Sequence, residues 1–318
     1  MLTEESAAVR FYDERYAAGY MDDWPAWKKR RVANFIRALN LPQTGRALDF
    51  GCGQGVFTEV LRTTLPGWTI SGTDLSSGAL DMARKRFPGC EFFPLPAEAG
   101  ASSLAPFDLL FTHHVLEHVL DLDRTWELMA SFLKPAGAML HMLPCGDADT
   151  LERRICSLRS DGIDPARGNR FFYEDEGHVR RLRSSEMEAA AQRFGFQPGA
   201  RRFASAYWGA IDWITDTGPD CVRTITDTTQ ARDDVAKGAL RRLRFALLPL
   251  SFARIPAAKL AGIAKQAPSP KRSAKLVAAA AGYPLAYCVD RFLRWQSERE
   301  WQSAGTGSEM YVSFFRGA

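Results

Sequence analysis

The chain has 318 residues and predicts an α/β protein built on a largely parallel sheet. Three observations carry that class. Apolar runs of strand length alternate with helical stretches between residues 46 and 143. A glycine-rich turn closes the first run, and an aspartate closes the second.

Each element follows from its pattern. Residues 1–40 read as amphipathic helix with an aromatic cluster of Phe11, Tyr12, Tyr16, Tyr20, Trp24 and Trp27. Strands are expected at 46–50, 68–73, 90–93, 107–112 and 138–143. Helices are expected at 54–64, 77–87 and 122–133, which makes successive βαβ units. Residues 144–184 read as irregular and charge-rich, followed by a helix at 185–194 and a strand at 201–206. The stretch 207–303 is helical in pattern, Ala/Leu/Arg-rich and punctuated by Pro249, Pro256, Pro268 and Pro270. A closing apolar run, 309–315, has strand length. The expected organisation is a helical cover at 1–40, a central domain at 41–206, a basic helical insertion at 207–305 and a final strand within 306–318.

Composition narrows the function. Hydrophobic residues make up 46% and charged residues 25%, as in an ordinary globular protein with a sizeable core. The six cysteines include no C-x-x-C pair, so free thiols are expected rather than a disulfide framework or structural zinc. The first residues have no basic or apolar leader pattern, and the longest apolar run, 276–289, is too short to span a bilayer. A cytoplasmic protein is expected, with peripheral contact at the membrane's inner face as an option. The net charge of +4 hides an asymmetry: residues 235–289 hold ten Lys/Arg and no Asp/Glu.

The sharpest motif is Leu48-Asp49-Phe50-Gly51-Cys52-Gly53-Gln54-Gly55. Glycines let the backbone turn tightly and let a ligand approach the main chain, and a following helix start offers free N–H groups. A nicotinamide fingerprint would place its third glycine at 56, where this chain has Val56. Asp74 stands 19 residues after Gly55. It suits either the two hydroxyls of a ribose or a helix cap before Ser76-Ser77. A glycine turn with no ligand remains the plain alternative.

The Asp-x-Gly-x-Gly-x-Gly pattern, the segment Phe107-Asp108-Leu109-Leu110-Phe111-Thr112-His113-His114-Val115-Leu116-Glu117-His118-Val119 and the run Leu133-Lys134-Pro135-Ala136-Gly137 together resemble class I S-adenosylmethionine-dependent methyltransferases over about residues 45–145. The branch resembled contains the ubiquinone-biosynthesis O-methyltransferases. The resemblance implies a Rossmann-like seven-stranded methyltransferase sheet, with an N-terminal helical cover and a helical insertion before the last strand. It implies S-adenosylmethionine as cofactor, with Asp49, Gly51, Cys52 and Gly53 around its amino-acid end and Asp74 and Leu75 at the ribose. Thr112, Tyr12 and Tyr16 would complete the pocket, although Tyr12 and Tyr16 also suit simple helix packing. Where the family carries an Asp after the third strand this chain has Pro96, so adenine contacts fall to the Ala97 backbone or the Glu98 side chain.

Methyl transfer needs in-line alignment, and a hydroxyl acceptor also needs a base. His113 and His114, just past the fourth strand, are candidate bases. His118 suits a buried structural role. His178, in Gly177-His178-Val179-Arg180, resembles a His-x-Arg at the mouth of related sites; it also suits pairing with Glu174 or Glu176. If 114–118 is helical, His114, Glu117 and His118 share one face and with His141 make a nitrogen-rich metal set; the reading adopted has no metal.

The expected reaction is O-methylation of a small or lipid-like acceptor, with N- or C-methylation or a non-catalytic cofactor-binding scaffold as alternatives. Nucleic acid is not an expected partner. The basic segment lacks interleaved aromatics, and no Asn/Asp-Pro-Pro-Tyr/Phe motif follows the fourth strand. The basic helices suit a cap on the domain, a dimer face or an anionic membrane surface.

Overall fold

A computed structural model describes residues 5–95, 106–264 and 269–316. Two helices open the chain, α1 (Glu5–Ala17) and α2 (Ala26–Ala38). The alternating part follows as β1 (Gly45–Phe50), α3 (Val56–Thr64), β2 (Trp68–Asp74), α4 (Ser77–Arg86), β3 (Glu91–Pro94), β4 (Phe107–His113), α5 (Leu122–Ser131) and β5 (Leu133–Pro144). Next come α6 (Leu151–Ser157), the short strands β6 (Ile163–Asp164) and β7 (Arg170–Phe171), α7 (Ser184–Arg193) and β8 (Phe196–Ala204). Four helices, α8 (Trp208–Thr217), α9 (Pro219–Ile225), α10 (Asp234–Ala264) and α11 (Pro270–Ser303), precede the closing strand β9 (Glu309–Arg316).

The main sheet has seven strands in the order β3-β2-β1-β4-β5-β9-β8. The pairings β1–β2, β1–β4, β2–β3 and β4–β5 are parallel. Strands covered on both faces are mostly apolar, so Ala47–Phe50 of β1 and Leu109–His113 of β4 are buried, with Asp49, Thr112 and His113 as polar exceptions. Strand order reverses between β1 and β4. Beyond the carboxyl ends of these two strands the crevice of an open α/β sheet forms, and the glycine turn and the histidines emerge there.

The chain divides into two compact units: Met1–Pro144 with Ser184–Arg201 and Tyr311–Ala318, and Cys145–Arg183 with Arg202–Met310. In the first, the fully buried Trp126 of α5 stacks on Phe194, with ring planes 2° apart, and meets Phe314 edge-on. In the second, Leu151 and Ile155 of α6 join Ile214, Val222, Ile225, Leu240, Leu247 and Leu293 in one apolar cluster. Arg254 lies buried in that unit, with Nη1 2.8 Å from Asp212 Oδ1 and Nη2 2.6 Å from Asp290 Oδ1. The start of α8 is capped from a distance. Glu300 Oε1 accepts from Ala206 N at 2.8 Å, and Oε2 accepts from Tyr207 N at 2.8 Å and Trp208 N at 2.7 Å. A carboxylate there satisfies the orphan donors and the positive end of the helix.

Several local expectations are corrected. Residues 144–184 contain α6 and the antiparallel β6–β7 pair. Strand β5 starts at Leu133 because its register against β4 jumps from Phe107↔Leu133 to Leu109↔Ala138, a bulge that absorbs Pro135 and Gly137. Strand β8 begins at Phe196, since an edge strand tolerates Pro198 and Gly199. Pro249 and Pro256 sit inside α10 and Pro284 inside α11, where packing of the helices outweighs the lost hydrogen bonds. Residues 114–118 form a turn rather than a helix, and His114 has φ 54°. No described helix is long and apolar enough to cross a membrane.

Candidate active site

The glycine turn joins the tips of β1 and β2. Gly51 N and Cys52 N donate to Thr73 O at 2.8 and 3.0 Å, and Gly53 N donates to Asp74 Oδ2 at 2.8 Å. Gly51 (φ 76°) and Gly53 (φ 51°) are left-handed. A Cβ on Gly51 would come within 2.5 Å of Val115, and one on Gly53 within 2.7 Å of the Tyr16 hydroxyl. Both positions therefore need glycine for backbone conformation and for space.

Two buried carboxyls flank this turn. Asp74 is not the cap of α4; Ser76 is, accepting from Ala79 N at 3.0 Å. Asp74 Oδ1 accepts from Ser76 N at 2.9 Å, and burial raises its pKa against these hydrogen bonds. Asp49, near the end of β1, accepts from Thr58 Oγ1 of α3 at 2.6 Å. Burial pushes its pKa up to about 7, with Asp74 adding repulsion. Among the described residues no Lys, Arg or His lies within ion-pair distance of Asp49. The same burial, with Asp49 and Asp74 nearby, raises the Cys52 thiol well above its usual value.

A cleft opens on Asp49, Gly51, Cys52 and Gly53, with Tyr12, Tyr16, Trp24, Phe57, His113, His114 and His118 around it. The helix α1 covers it. Tyr16 is held against Gly53, and burial raises its hydroxyl pKa well above the ordinary value. Ser76 Oγ donates to Asp13, and Gln54 Nε2 donates to Tyr20 O at 3.4 Å, which ties α1 and the segment after it to the turn. Tyr12 meets His118 edge-on, with ring centroids 5.7 Å apart.

Of the candidate bases, His113 is packed as a wall. Its ring stacks on Phe57 at 3.7 Å between centroids and meets Trp24 edge-on at 4.7 Å. His114 turns out of the strand, its N donating to Met142 O at 2.8 Å. Its Nδ1 lies 2.9 Å from Oε1 of Glu117, which is fully buried. In sequence, Glu117 suggests only a metal ligand on a helix. Its i+3 spacing from His114 is the one local signal of their contact, and a turn delivers it. His178 lies in the other unit, its Nδ1 3.1 Å from Glu174 Oε2, and Arg181 pairs with the same carboxylate.

Not every expected residue meets in the cleft. Asp74 and the half-buried Leu75 do not line that cleft. Thr112 Oγ1 is 2.8 Å from His141 Nδ1 inside the sheet, and burial lowers the His141 pKa to about 3, so that ring is neutral. Ala97 and Glu98 lie outside the described residues. A separate surface groove lined by Lys29, Arg30, Arg37 and Arg86 contains none of the expected site residues.

The sheet's strand order thus reverses at β1/β4, where a glycine turn, two buried acids and an aromatic cover come together beside one cleft. The sequence model of the family described as "Methyltransferase domain" matches residues 19–198, more than half the chain. The chain belongs to this family: it is a class I S-adenosylmethionine-dependent methyltransferase, and S-adenosylmethionine is its cofactor. A trans-aconitate 2-methyltransferase of Methylobacterium nodulans is 28% identical over 215 residues, which is 62% of this chain and 80% of the relative. Another, of Variovorax paradoxus, is 28% identical over 202 residues, 60% of this chain and 74% of the relative. Among solved structures, the PH0226 protein of Pyrococcus horikoshii aligns at a TM-score of 0.46 and 19% identity, covering 57% of this chain and 86% of that one.

The residues fit that cofactor. Asp49 is a buried carboxyl with a neutral hydroxyl as hydrogen-bond donor, and a ligand ammonium would favour its ionised form. The turn beside it carries no side chains at Gly51 and Gly53.

Proposed function

We propose that the enzyme methylates an oxygen of a small acceptor, with His114 taking the acceptor's proton and Glu117 holding His114 in orientation. The supporting observation is the 2.9 Å pairing of His114 Nδ1 with a carboxylate that has no solvent exposure. S-adenosylmethionine supplies an electrophilic methyl on a sulfonium. The chain's part is to bind, align, exclude water and accept a proton. In this reading Asp49 meets the cofactor's ammonium, and the backbone of Gly51, Cys52 and Gly53 borders its amino-acid end. Asp74 serves the ribose hydroxyls with Leu75 beside it, and Tyr12 and Tyr16 close the top. Thr112 acts through its backbone, since its hydroxyl is engaged with His141. The adenine roles of Ala97 and Glu98 stay with this proposal. His113, between Phe57 and Trp24, keeps water from the acceptor. His178 is the alternative base.

The resemblance to the ubiquinone-biosynthesis branch supports a hydroxyl acceptor. The relatives' name, trans-aconitate 2-methyltransferase, favours a second reading in which a carboxylate oxygen attacks and needs no base. His114→Ala and Glu117→Gln separate the two, assayed by product mass with a panel of hydroxyl acceptors and with trans-aconitate. A base role lowers kcat for a hydroxyl acceptor by about 10²- to 10⁴-fold and leaves cofactor affinity in place. Turnover of trans-aconitate at an unchanged kcat in His114→Ala supports the carboxylate reading and removes the base role.

A further inference from the structure

Helices α10 and α11, of 31 and 34 residues, pack on each other within the second unit. Helix α11 is apolar on two opposite faces. Ala279, Ala286 and Leu293 are buried on one. At 100° per residue, Val277, Pro284, Cys288 and Trp295 fall within about 20° of the line opposite Ala286. All four are exposed, Val277 to 73%. Leu285, Tyr287 and Phe292 are exposed beside them, and on α10 Phe245 is 83% exposed. A solvent-facing helix side normally carries polar residues, so this arrangement calls for a partner.

The charge around these side chains identifies its chemistry. Residues 235–289 hold ten Lys/Arg and no Asp/Glu. Arg254 is consumed in the buried cluster, and Arg244 donates to the Thr226 and Arg223 carbonyls. Arg241, Arg242, Lys271 and Lys275 are exposed. A second copy is a poor occupant, because a two-fold contact would set this acid-free stretch against itself. Exposed large apolar side chains with basic neighbours match a surface that is apolar below and anionic above.

We propose that the α10–α11 face docks peripherally on a bilayer containing anionic lipids, through the exposed apolar side chains of α11 and Phe245 of α10, the latter flanked by Arg241 and Arg242. The proposal is independent of which acceptor is methylated.

The test is co-sedimentation of the full chain with vesicles of phosphatidylcholine plus phosphatidylglycerol, and with vesicles of phosphatidylcholine alone. Binding is expected on the anionic vesicles and is expected to fall as salt rises. Each of Arg241→Gln and Arg242→Gln should lower partitioning about fivefold. Val277→Ser combined with Trp295→Ser should lower it further, with S-adenosylmethionine binding unchanged as proof of folding. Absence of binding to anionic vesicles overturns the proposal, as does equal binding to both vesicle types. Lipid-free self-association abolished by Val277→Ser and Trp295→Ser would assign the face to a second copy and likewise overturn it.

Discussion

Replacing Asp49 by asparagine tests the link between burial, charge and cofactor binding at this site. Asp49 is fully buried, and its pKa stands at about 7 instead of the ordinary 3.8. Burial is the largest cause, opposed by the hydrogen bond from Thr58. A carboxyl held that far up disfavours its own ionisation by about 4 kcal/mol. The sign follows from linkage. The unfolded chain ionises near pH 4 and the folded chain near 7, so in the unfolded chain Asp49 releases its proton first as pH rises. Asp49's own contribution to the free enzyme's stability is therefore fully present below about pH 4 and is lost as pH rises through about 7. An asparagine side chain has nearly the same shape and does not titrate, so the variant escapes this loss. Asp49→Asn should match wild type in urea-melt stability near pH 4 and exceed it at about pH 8 by a margin approaching roughly 4 kcal/mol. It should also lose most of its affinity for S-adenosylmethionine, measured by calorimetry at about pH 8. In wild type that affinity should weaken as pH falls below about 7, because protonated Asp49 offers no charge to an ammonium. A stability difference that stays flat with pH, or a variant less stable than wild type at about pH 8, would falsify the account of Asp49 as a desolvated carboxyl poised for a cation.

Two further outcomes are expected. Gly51→Ala meets both a left-handed backbone and Val115 Cγ2 at 2.5 Å, so it should lower stability by roughly 1–3 kcal/mol. Adding Val115→Ala should restore part of that in a double-mutant cycle, and strict additivity would remove the steric explanation. Arg254→Ala leaves Asp212, already raised by burial, without its buried cation. The expected loss is about 3–5 kcal/mol in chemical denaturation, and Arg254→Met should lose less if Asp212 protonates; a loss below about 1 kcal/mol would mean that the cluster is solvated.

The alternation of β1 to β5 with α3 to α5 was legible in the sequence because each element is set locally. Apolar runs punctuated by glycine mark parallel strands, and the acids at the ends of β1 and β2 sit at spacings that one βαβ unit dictates. The cofactor class was legible for the same reason, since Asp49, Gly51, Gly53 and Asp74 belong to one such unit. The turn at 114–118 was not. His114–His118 has helical spacing, yet the hydrogen bond from His114 N to Met142 O belongs to a neighbouring strand and sets a left-handed φ that no local pattern signals. The structure of 145–183 was equally hidden. Its short elements are held by distant partners, such as the bonds from Ser160 N to Gln230 O and from Arg159 Nη1 to Thr224 O. The chain passes between its two units four times, after Pro144, before Ser184, and within β8 and β9, so no single linker marks the division.

The sequence by itself determined the succession of elements from β1 to β5, the glycine turn, the paired acids and the lopsided distribution of charge, because periodicity, backbone sterics and composition act over a few neighbouring residues. Only the tertiary structure decided that Glu117 pairs with His114, that Thr112 turns to His141, that His178 rests on Glu174, and that α11 is left with an apolar outer face. Those outcomes depend on which groups lose water together, and desolvation is a property of residues brought into contact from distant parts of the chain.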